Sequence, residues 1–394
     1  MSLRIAIAVH GRFHAFELAR ALLSAGHDVT VFTNLPRFAT RRAQLEDRRV
    51  RSMWPHGLVQ RALGRASSLG LPGGEALLHR AFGAWAARAL TGTRWDLVLV
   101  FSGVAEELLR APAVTGLKVV VRGSCHIRRQ DRLLREEEAR AATPIDRPSA
   151  WRIAREEREY SLADRVCVLS GFARRSFVEE GLPPDRVWLN PLALPVERFT
   201  ASPEALAART ARLRAGGPLR VLTVGHVSFR KGLLDLLAAA RRLRPDEVDF
   251  RWVGLVLPEA RGALERPPAH LDLRPPCPQA EVAHHLAWAD LFLLPTIEDG
   301  FAVVLAEALA AGVPILTTPH SGGPDLLAQN DRSGWLIPIR DPDAIVARLR
   351  AIQADRVEHG RRAAELASHP PRRSWRDVAD GIAGACLQAS GAAP

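Results

Sequence analysis

Short apolar segments alternate with amphipathic, helix-like segments along almost the whole chain. The apolar segments are candidate β-strands, at residues 4–9, 29–33, 97–101, 118–121 and 165–170, and then at residues 220–224, 250–253, 291–294 and 314–317. Strands that alternate with helices in this way pair into parallel sheets, and the helices form the crossover connections. The sequence therefore predicts an α/β fold.

The strand candidates fall into two series, separated by a polar, alanine-rich stretch at residues 201–218. The chain has 394 residues, which is more than one hydrophobic core usually supports. We therefore predict an N-terminal Rossmann-like domain at residues 1–200 and a C-terminal Rossmann-like domain at residues 215–370. We expect a C-terminal helix within residues 371–394 to pack back on the N-terminal domain.

The composition narrows the choice of partners and compartment. The formal net charge is +11 and comes almost entirely from arginine, since the chain has only two lysines. A basic balance favours anionic partners, namely nucleotide phosphates, anionic lipid headgroups or nucleic acid. The four cysteines are far apart, which argues against a disulfide framework or a zinc site. The cysteine pattern fits a reducing cytosol best, so we expect a cytoplasmic protein. Every apolar run is far shorter than the roughly 20 residues of a membrane-spanning helix, so we expect no membrane-spanning segment.

The strongest candidate site follows the third strand of the second series. A polar loop there carries Glu298, Asp299 and Gly300, and a helix predicted from near residue 301 to residue 312 carries Glu307. Ligands of open α/β sheets bind at the carboxyl ends of strands, where a helix N-terminus offers free amides to an anion. Two carboxylates at this spacing could bind different hydroxyls of one elongated ligand. The alternative is that Asp299 only complements the helix dipole and that Glu307 is solvated.

Residues 295–314 resemble the E-x7-E motif of the retaining GT-B glycosyltransferases of family 4. The family wording is P-S-x-x-E-G-F-G-x-x-x-x-E-A-x-A-x-G-x-P, and the positions in register are Gly300, Phe301, Glu307, Ala308, Ala310, Gly312 and Pro314. Asp299 stands in the place of the first glutamate, and Glu298 comes just before it. The sequence leaves open which of these two acids reaches the donor sugar.

A second segment, V-G-H-V-S-F-R-K-G at residues 224–232, follows the first strand of the second series. It resembles the family's V-G-R-x-x-x-x-K-G loop, whose arginine and lysine neutralise the donor diphosphate. Lys231 is in register, His226 replaces the usual arginine, and Arg230 could compensate for that replacement. Fixed cations aimed at a departing diphosphate lower the barrier to transfer. Without the resemblance, Arg230 and Lys231 would be interpreted as solvated surface charges, as such pairs commonly are.

Two segments of the first series extend the resemblance. Residues 4–33 are similar to the family's first βαβ unit, whose glycine loop faces the donor, and Gly11 and Arg12 are the candidates for that loop. Residues 121–130 leave a strand end and place His126 towards the cleft. In related enzymes a histidine of the comparable loop contacts a donor-sugar hydroxyl. The alternative for His126 is a structural hydrogen bond.

The resemblance implies a GT-B fold, in which two Rossmann-like domains face each other across a cleft. It implies a glycosyltransferase of the hexosyltransferase type that retains the anomeric configuration. The implied catalytic residues are Lys231, Arg230, Asp299 and His126, and the implied donor-binding residues are Gly11, Arg12, Gly225, His226, Glu298, Gly300, Phe301, Ala302, Val303 and Glu307. The donor would be a UDP- or GDP-sugar, and the acceptor would be a glycan or a lipid-linked molecule of bacterial surface polysaccharide assembly. The resemblance implies that neither a metal nor another cofactor is required.

Two further segments have competing interpretations. Residues 37–65 carry eight arginines with interspersed apolar side chains, among them Trp54 and Leu58. Such a segment could lie on the inner face of an anionic membrane or hold a lipid-diphosphate acceptor, and the alternative is a solvated charged face. Asp341 and Asp343 spell a D-x-D triplet, but they follow a strand-like W-L-I-P segment and precede a helix. Helix capping therefore explains this triplet better than a metal site.

Other function classes remain as alternatives. The first is another GT-B enzyme, such as a phosphorylase or a nucleotide-sugar epimerase. A phosphorylase would need a pyridoxal phosphate lysine in the second domain, where Lys231 is the only lysine. The second is a non-catalytic basic protein that binds nucleic acid or an anionic membrane surface. Such a protein has no use for the glycine and carboxylate residues at 299–312, so we expect no nucleic-acid partner.

Overall fold

The structure, a computed structural model, describes residues 2–42, 44–67, 74–194 and 196–389. Within these residues, two separate parallel sheets of seven and six strands account for the strand content. We call the first sheet with its surrounding helices the first domain, and the second sheet with its helices the second domain. The predicted α/β fold with two parallel sheets is therefore confirmed.

The first sheet has the strand order β3-β2-β1-β4-β5-β6-β7. Its strands are β1 (Arg4–Val9), β2 (Asp28–Thr33), β3 (Val50–Ser52), β4 (Leu97–Phe101), β5 (Leu117–Arg122), β6 (Arg165–Val168) and β7 (Val187–Leu189). The helices of this half are α1 (Ala15–Ser24), α2 (Arg37–Arg42), α3 (Trp54–Ser67), α4 (Glu75–Leu90), α5 (Glu106–Arg110), α6 (Ile127–Ala141), α7 (Ala150–Leu162) and α8 (Gly171–Glu179). The next two helices in the chain, α9 (Val196–Phe199) and α10 (Pro203–Ala215), pack against helices of the second domain.

The second sheet has the strand order β10-β9-β8-β11-β12-β13. Its strands are β8 (Leu219–Val224), β9 (Val248–Val253), β10 (Leu271–Arg274), β11 (Leu291–Leu294), β12 (Ile315–Thr317) and β13 (Gly334–Leu336). Its helices are α11 (Leu233–Arg242), α12 (Gln279–Trp288), α13 (Val303–Ala310), α14 (Gly323–Leu327), α15 (Pro342–Ala354) and α16 (Arg356–Ser368). Short 3-10 turns include one at Phe229–Lys231, directly before α11.

Helices cover both faces of each sheet, which explains why the central strands are apolar throughout. In β1, Ile5 and Ile7 belong to one core, and Ala6 and Ala8 belong to a second core on the opposite face. All four side chains are fully buried. A strand that is buried on both faces needs an uninterrupted apolar run rather than alternation, and this is the pattern that made the central strands visible in the sequence.

The chain returns to the first domain at its last described helix, α17 (Trp375–Ala389). This helix packs against α1, and its buried residues Val378 and Ile382 belong to the same core cluster as Ile5 and Phe16. The amide side chain of Asn190, which follows β7, donates to the Val378 carbonyl at 3.1 Å. The first domain is therefore completed by a segment that follows the second domain in the sequence.

Helix α6 of the first domain also contacts the second domain along one side. Arg340, just after β13, donates to the Leu133 carbonyl at 2.8 Å and to Glu136 at 2.6 Å. One turn further on, Arg140 pairs with Asp235 of α11 at 2.7 Å. These contacts bring the carboxyl ends of the two sheets towards each other.

None of the helices in the described part of the chain combines the length and the apolar character that crossing a membrane requires.

We predict that Ile382→Ala destabilises the protein by about 2 to 4 kcal/mol, because it leaves a cavity in the first-domain core. The Ile382 side chain is 2% exposed. Urea unfolding would measure the change in the free energy of unfolding. The control is Val357→Ala on α16, where the side chain is 70% exposed, and its effect should stay within about 0.5 kcal/mol. Equal effects of the two substitutions would contradict the packing of α17.

Candidate active site

The loop after β11 is fixed by the loops on both sides of it. β11 is entirely buried, and the chain leaves it at Pro295. The amide of Ile297 and the hydroxyl of Thr296 both donate to the Arg230 carbonyl, at 2.9 Å and 3.1 Å. On the other side, the amide of Asp299 donates to the His320 carbonyl at 2.9 Å. The position of Glu298 and Asp299 is therefore set by backbone hydrogen bonds and does not depend on a ligand.

The carboxylate of Asp299 lies at the N-terminus of α13. It accepts hydrogen bonds from the amides of Phe301 at 3.2 Å and Ala302 at 2.9 Å, and it pairs with the ammonium group of Lys231. Burial alone would raise the pKa of Asp299, but the charges of Lys231 and Arg230 outweigh that effect and lower it. One cation and two amides thus converge on a single anion.

This geometry corrects the predicted start of the helix. The helix was expected to begin near Phe301, but α13 begins at Val303. Ala302 has a left-handed backbone, with φ 60°, and the amides of Phe301 and Ala302 are directed to Asp299 instead of continuing the helix. The alternative interpretation of Asp299, a carboxylate that complements the helix dipole, describes its contacts in this structure, because it accepts hydrogen bonds from amides at the helix start.

Glu298 points in the opposite direction, into the first domain. Its side chain is fully buried. The carboxylate accepts hydrogen bonds from the Cys125 amide at 3.2 Å and from the Gln130 side chain at 3.0 Å, and it pairs with Arg230 at 2.9 Å. Arg230 also donates to the Ser124 hydroxyl at 3.3 Å. Arg230 therefore joins the two domains, whereas Lys231 faces Asp299.

The two domains come into backbone contact beside this ion pair. A Cβ atom at Gly300 would lie 1.8 Å from the carbonyl oxygen of Gly123. Only glycine can occupy position 300 at this separation, so the loop after β11 and the loop after β5 are in direct backbone contact. The glycine of the motif thus has a steric reason in this chain.

Glu307 lies in the second turn of α13 and is 4% exposed, so the alternative interpretation, a solvated side chain, is wrong. Its carboxylate accepts a hydrogen bond from the side chain of Gln279, at the start of α12, at 2.8 Å. Burial raises the pKa of Glu307, and the hydrogen bond from Gln279 partly opposes this rise. Glu307 is therefore joined to the start of α12 by a direct side-chain hydrogen bond.

The structure contradicts the predicted orientation of His126 towards the cleft. His126 is 7% exposed and precedes α6, where its ring accepts a hydrogen bond from the Arg128 amide at 3.3 Å. Its ring packs against Phe177 and Tyr160, with centroids 4.9 Å and 5.1 Å away. Burial lowers the pKa of His126 to about 4. The alternative interpretation, a structural hydrogen bond, therefore describes this residue.

The remaining predicted residues lie in loops at the same edges of the sheets. Gly11 has φ +92°, and its amide donates to the Asn34 side chain at 2.7 Å. Arg12 pairs with Glu17 of α1 at 2.9 Å, which is a contact within its own domain. Gly225 and the exposed His226 follow β8, and the Gly225 carbonyl accepts a hydrogen bond from the Trp252 side chain at 3.0 Å. Val303 is the first residue of α13.

The prediction about the D-x-D triplet also has an outcome. Asp341 caps α15 by accepting a hydrogen bond from the Ala344 amide at 2.8 Å, and Asp343 pairs with Arg242. The capping interpretation of the D-x-D triplet is therefore confirmed.

Sequence reasoning missed Gln130, whose contact with Glu298 spans 168 positions. Its only signal was that Gln130 ends the segment already associated with the cleft.

Comparison with known proteins gives a family description for both domains. Residues 12–198 match the family model described as Glycosyltransferase Family 4, and residues 218–355 match the model described as Glycosyl transferases group 1. A putative colanic acid biosynthesis glycosyltransferase, WcaL of Salmonella typhimurium (strain LT2), is 32% identical over 191 residues. That match covers 45% of this chain and 44% of the relative, so it spans less than half of either protein.

Solved structures resemble the chain over nearly its whole length. Sucrose-phosphate synthase from Thermosynechococcus elongatus superposes with a TM-score of 0.67 at 17% identity, covering 99% of this chain and 100% of that chain. HepE from Anabaena, solved in complex with UDP and glucose, superposes with a TM-score of 0.62 at 15% identity, covering 97% and 98%. These similarities confirm the predicted GT-B fold.

We predict that Gly300→Ala separates the two domains at the loops after β5 and β11, because the added methyl group would overlap the Gly123 carbonyl. Hydrogen–deuterium exchange of residues 122–130 should increase clearly in the variant. The matched control is Gly123→Ala on the opposite side of the same contact, where a Cβ atom would meet nothing within 4 Å. Unchanged exchange in the Gly300 variant would show that this contact does not hold the domains together.

Proposed function

This chain belongs to the family 4 glycosyltransferases, and from that premise we propose that it transfers a sugar from a nucleotide-diphosphate sugar to a glycan or lipid-linked acceptor. The proposed reaction retains the anomeric configuration and needs no metal. The proposed donor is a UDP- or GDP-sugar. The proposed setting is the assembly of a bacterial surface polysaccharide, at the cytoplasmic face of the membrane.

The observation that carries this proposal is the anion-binding arrangement around Asp299. Lys231 and the amides of Phe301 and Ala302 already hold one oxyanion, the Asp299 carboxylate. A donor phosphate has the same charge sign and the same acceptor oxygens, and helix N-termini with a nearby cation bind phosphate readily. We propose that the donor diphosphate takes this position and that Asp299, released from Lys231, turns to a hydroxyl of the donor sugar.

Glu307 would then bind the ribose of the donor. Its buried carboxylate can accept hydrogen bonds from both hydroxyls of a vicinal diol, and Gln279 already fixes its orientation. A diol that meets a buried, pre-oriented carboxylate loses little orientational freedom on binding. Glu307 and Asp299 thus bind opposite ends of one donor molecule, with the diphosphate between them.

The chemistry needs a proton acceptor as well as a stabilised leaving group. In the proposed step, the bond between the anomeric carbon and the diphosphate oxygen breaks, and the acceptor oxygen bonds to the anomeric carbon from the same face. The proton of the acceptor hydroxyl passes to the departing phosphate oxygen. Lys231 stabilises the negative charge that develops on the diphosphate, and pre-organised charge of this kind supplies much of the rate enhancement.

A surface of the first domain supports a membrane-associated acceptor. Four apolar side chains of α2 and α3 are more than half exposed: Phe38, Trp54, Leu58 and Val59. They lie among arginines, as in segments that bind anionic lipid surfaces. Ala43 and the side chains of residues 61–65 in this segment lie outside the described residues. We propose that this surface rests on the membrane and holds the enzyme near a lipid-linked acceptor.

We predict that Lys231→Met weakens nucleoside diphosphate binding by about 10- to 100-fold, because it removes a charge-assisted hydrogen bond. Calorimetric titration with UDP, GDP and ADP, with and without EDTA, would measure the dissociation constants and identify the base. EDTA should leave the affinity of the wild type unchanged. The matched control is Lys118→Met, since Lys118 is the other lysine and bonds to the Leu109 and Ala111 carbonyls. A wild type that binds none of the nucleotides would refute the proposed donor site.

A second prediction distinguishes the role of Asp299 from that of Glu298. Asp299→Asn should tighten binding of the free nucleoside diphosphate, because it removes an anion that competes for Lys231. It should also reduce the affinity for the nucleotide sugar relative to that for the free nucleoside diphosphate. Glu298→Gln should change the affinity for nucleoside diphosphate and nucleotide sugar by the same factor, because Glu298 contacts the other domain. Parallel titrations with both ligands would measure these ratios. The reverse result would assign the sugar contact to Glu298.

A further inference from the structure

The arginines of α6 differ in one respect, which is whether an acid pairs with them. Arg128 pairs with Glu157, Arg132 with Glu180, Arg135 with Asp131, and Arg140 with Glu137 and Asp235. In the part of the chain that the structure describes, Arg129 is the arginine of this helix that forms no ion pair with an acid. This exception is informative because each of the other four arginines of α6 pairs with an acid.

Arg129 lies in the first turn of α6, on the side that faces the second domain. The next residue, Gln130, donates to Glu298, and Leu133, one turn further, is bound through its carbonyl by Arg340. The Nε atom of Arg129 is buried, and among the described residues it has no hydrogen-bond acceptor. A buried guanidinium nitrogen without an acceptor has lost its water without replacement, which is unfavourable unless a ligand supplies the acceptor.

Arg129 directly precedes Gln130, which contacts Glu298, and its charge also acts on His320. Burial lowers the pKa of His320, and the positive charges of Arg129 and Arg340 lower it further, against the opposing effect of the Ile297 carbonyl. The backbone carbonyl of His320 accepts the hydrogen bond from the Asp299 amide. Arg129 is thus within electrostatic range of the residue that positions Asp299.

The surrounding potential favours an anion at this point. The first turn of α6 contains no acidic residue, and the 15-residue helix directs the positive end of its dipole to the same place. Arg230 and Lys231 are paired with Glu298 and Asp299 in this structure, whereas Arg129 has no acid partner among the described residues. A planar guanidinium with a free Nε–H edge matches the geometry of phosphate and carboxylate groups.

We propose that Arg129 binds an oxyanion, a phosphate or carboxylate group, of a substrate held in the cleft. The inference rests on the proposed function, because it assumes that a nucleotide sugar and its acceptor occupy this cleft. The oxyanion has two possible sources. It is either part of the donor diphosphate, on the side away from Lys231, or an anionic group of the acceptor, such as the phosphate of a lipid-linked molecule.

The test compares Arg129→Met with Arg128→Met, which removes the same charge from the same helical turn. Arg128 is the matched control because Glu157 compensates it, with an N–O distance of 2.9 Å. Each purified full-length protein is titrated with UDP or GDP, whichever binds the wild type, and with the corresponding nucleoside. Inorganic phosphate is then titrated into the protein saturated with the diphosphate. Thermal unfolding of each variant checks that it is folded, and Arg129→Lys tests whether charge alone is sufficient.

The outcomes are distinct. A loss of diphosphate affinity of about 10- to 100-fold in Arg129→Met alone, with nucleoside affinity unchanged, assigns the donor as the source. Unchanged diphosphate affinity with loss of phosphate binding to the saturated protein assigns the acceptor. The inference would be overturned if Arg129→Met bound both probes as tightly as the wild type, or if Arg128→Met showed losses of affinity equal to those of Arg129→Met. If the wild type binds no nucleotide, the proposed function fails. Titration with phosphate alone then tests the inference: weaker phosphate binding by Arg129→Met than by the wild type supports it, and equal binding overturns it.

Discussion

The buried carboxylate of Glu298 requires its surroundings to supply both positive charge and hydrogen-bond donors, because an uncompensated buried charge is strongly destabilising. The second domain supplies Arg230, and the first domain supplies the Cys125 amide and the Gln130 side chain. Arg230 lies in the same domain as Glu298, whereas the Cys125 amide and the Gln130 side chain are available only when the two domains are in contact. The hydrogen bonds that satisfy this buried carboxylate therefore depend on the relative placement of the domains, and the glycine contact beside it depends on the same placement.

This constraint also explains how the two acids of the loop divide their roles. Glu298 and Asp299 are adjacent in sequence, yet one carboxylate points into the first domain and the other lies on the N-terminus of α13. The two cations divide in the same way, with Arg230 at the domain contact and Lys231 at the anion-binding position. The loop can thus hold the domains together with one pair of charges while the other pair remains available for substrate.

The sequence predicted the centres of both sheets but not their edges. The strands without a predicted counterpart are β3, β7 and β10, and β13 was indicated only as strand-like. These four are the outermost strands of the two sheets. Central strands are buried on both faces and form apolar runs, whereas edge strands are short and partly exposed: β13 has no buried residue, and Leu189 of β7 is 42% exposed. Periodicity carries little information about such segments.

The candidate site was predictable to the extent that it is local in sequence. Asp299, Gly300 and Glu307 lie in one short segment, and Lys231 lies in a second, so motif spacing identified them. The cross-domain partner Gln130 was not predictable, because its contact with Glu298 joins distant parts of the chain. His126 was misplaced for a related reason, since its orientation is decided by packing against Tyr160 and Phe177. Motif spacing reveals neither the contact between Gln130 and Glu298 nor the orientation of His126.

The return of α17 to the first domain affects how the protein matures. The ribosome synthesises β1 to β7 early, but α17, which covers Ile5 and Phe16 in the finished core, emerges only after the whole second domain. During translation, the first domain therefore exposes an apolar surface for as long as the second domain takes to be made. Its folding is completed after synthesis of that domain, and until then this surface is open to chaperones and to contact with other nascent chains.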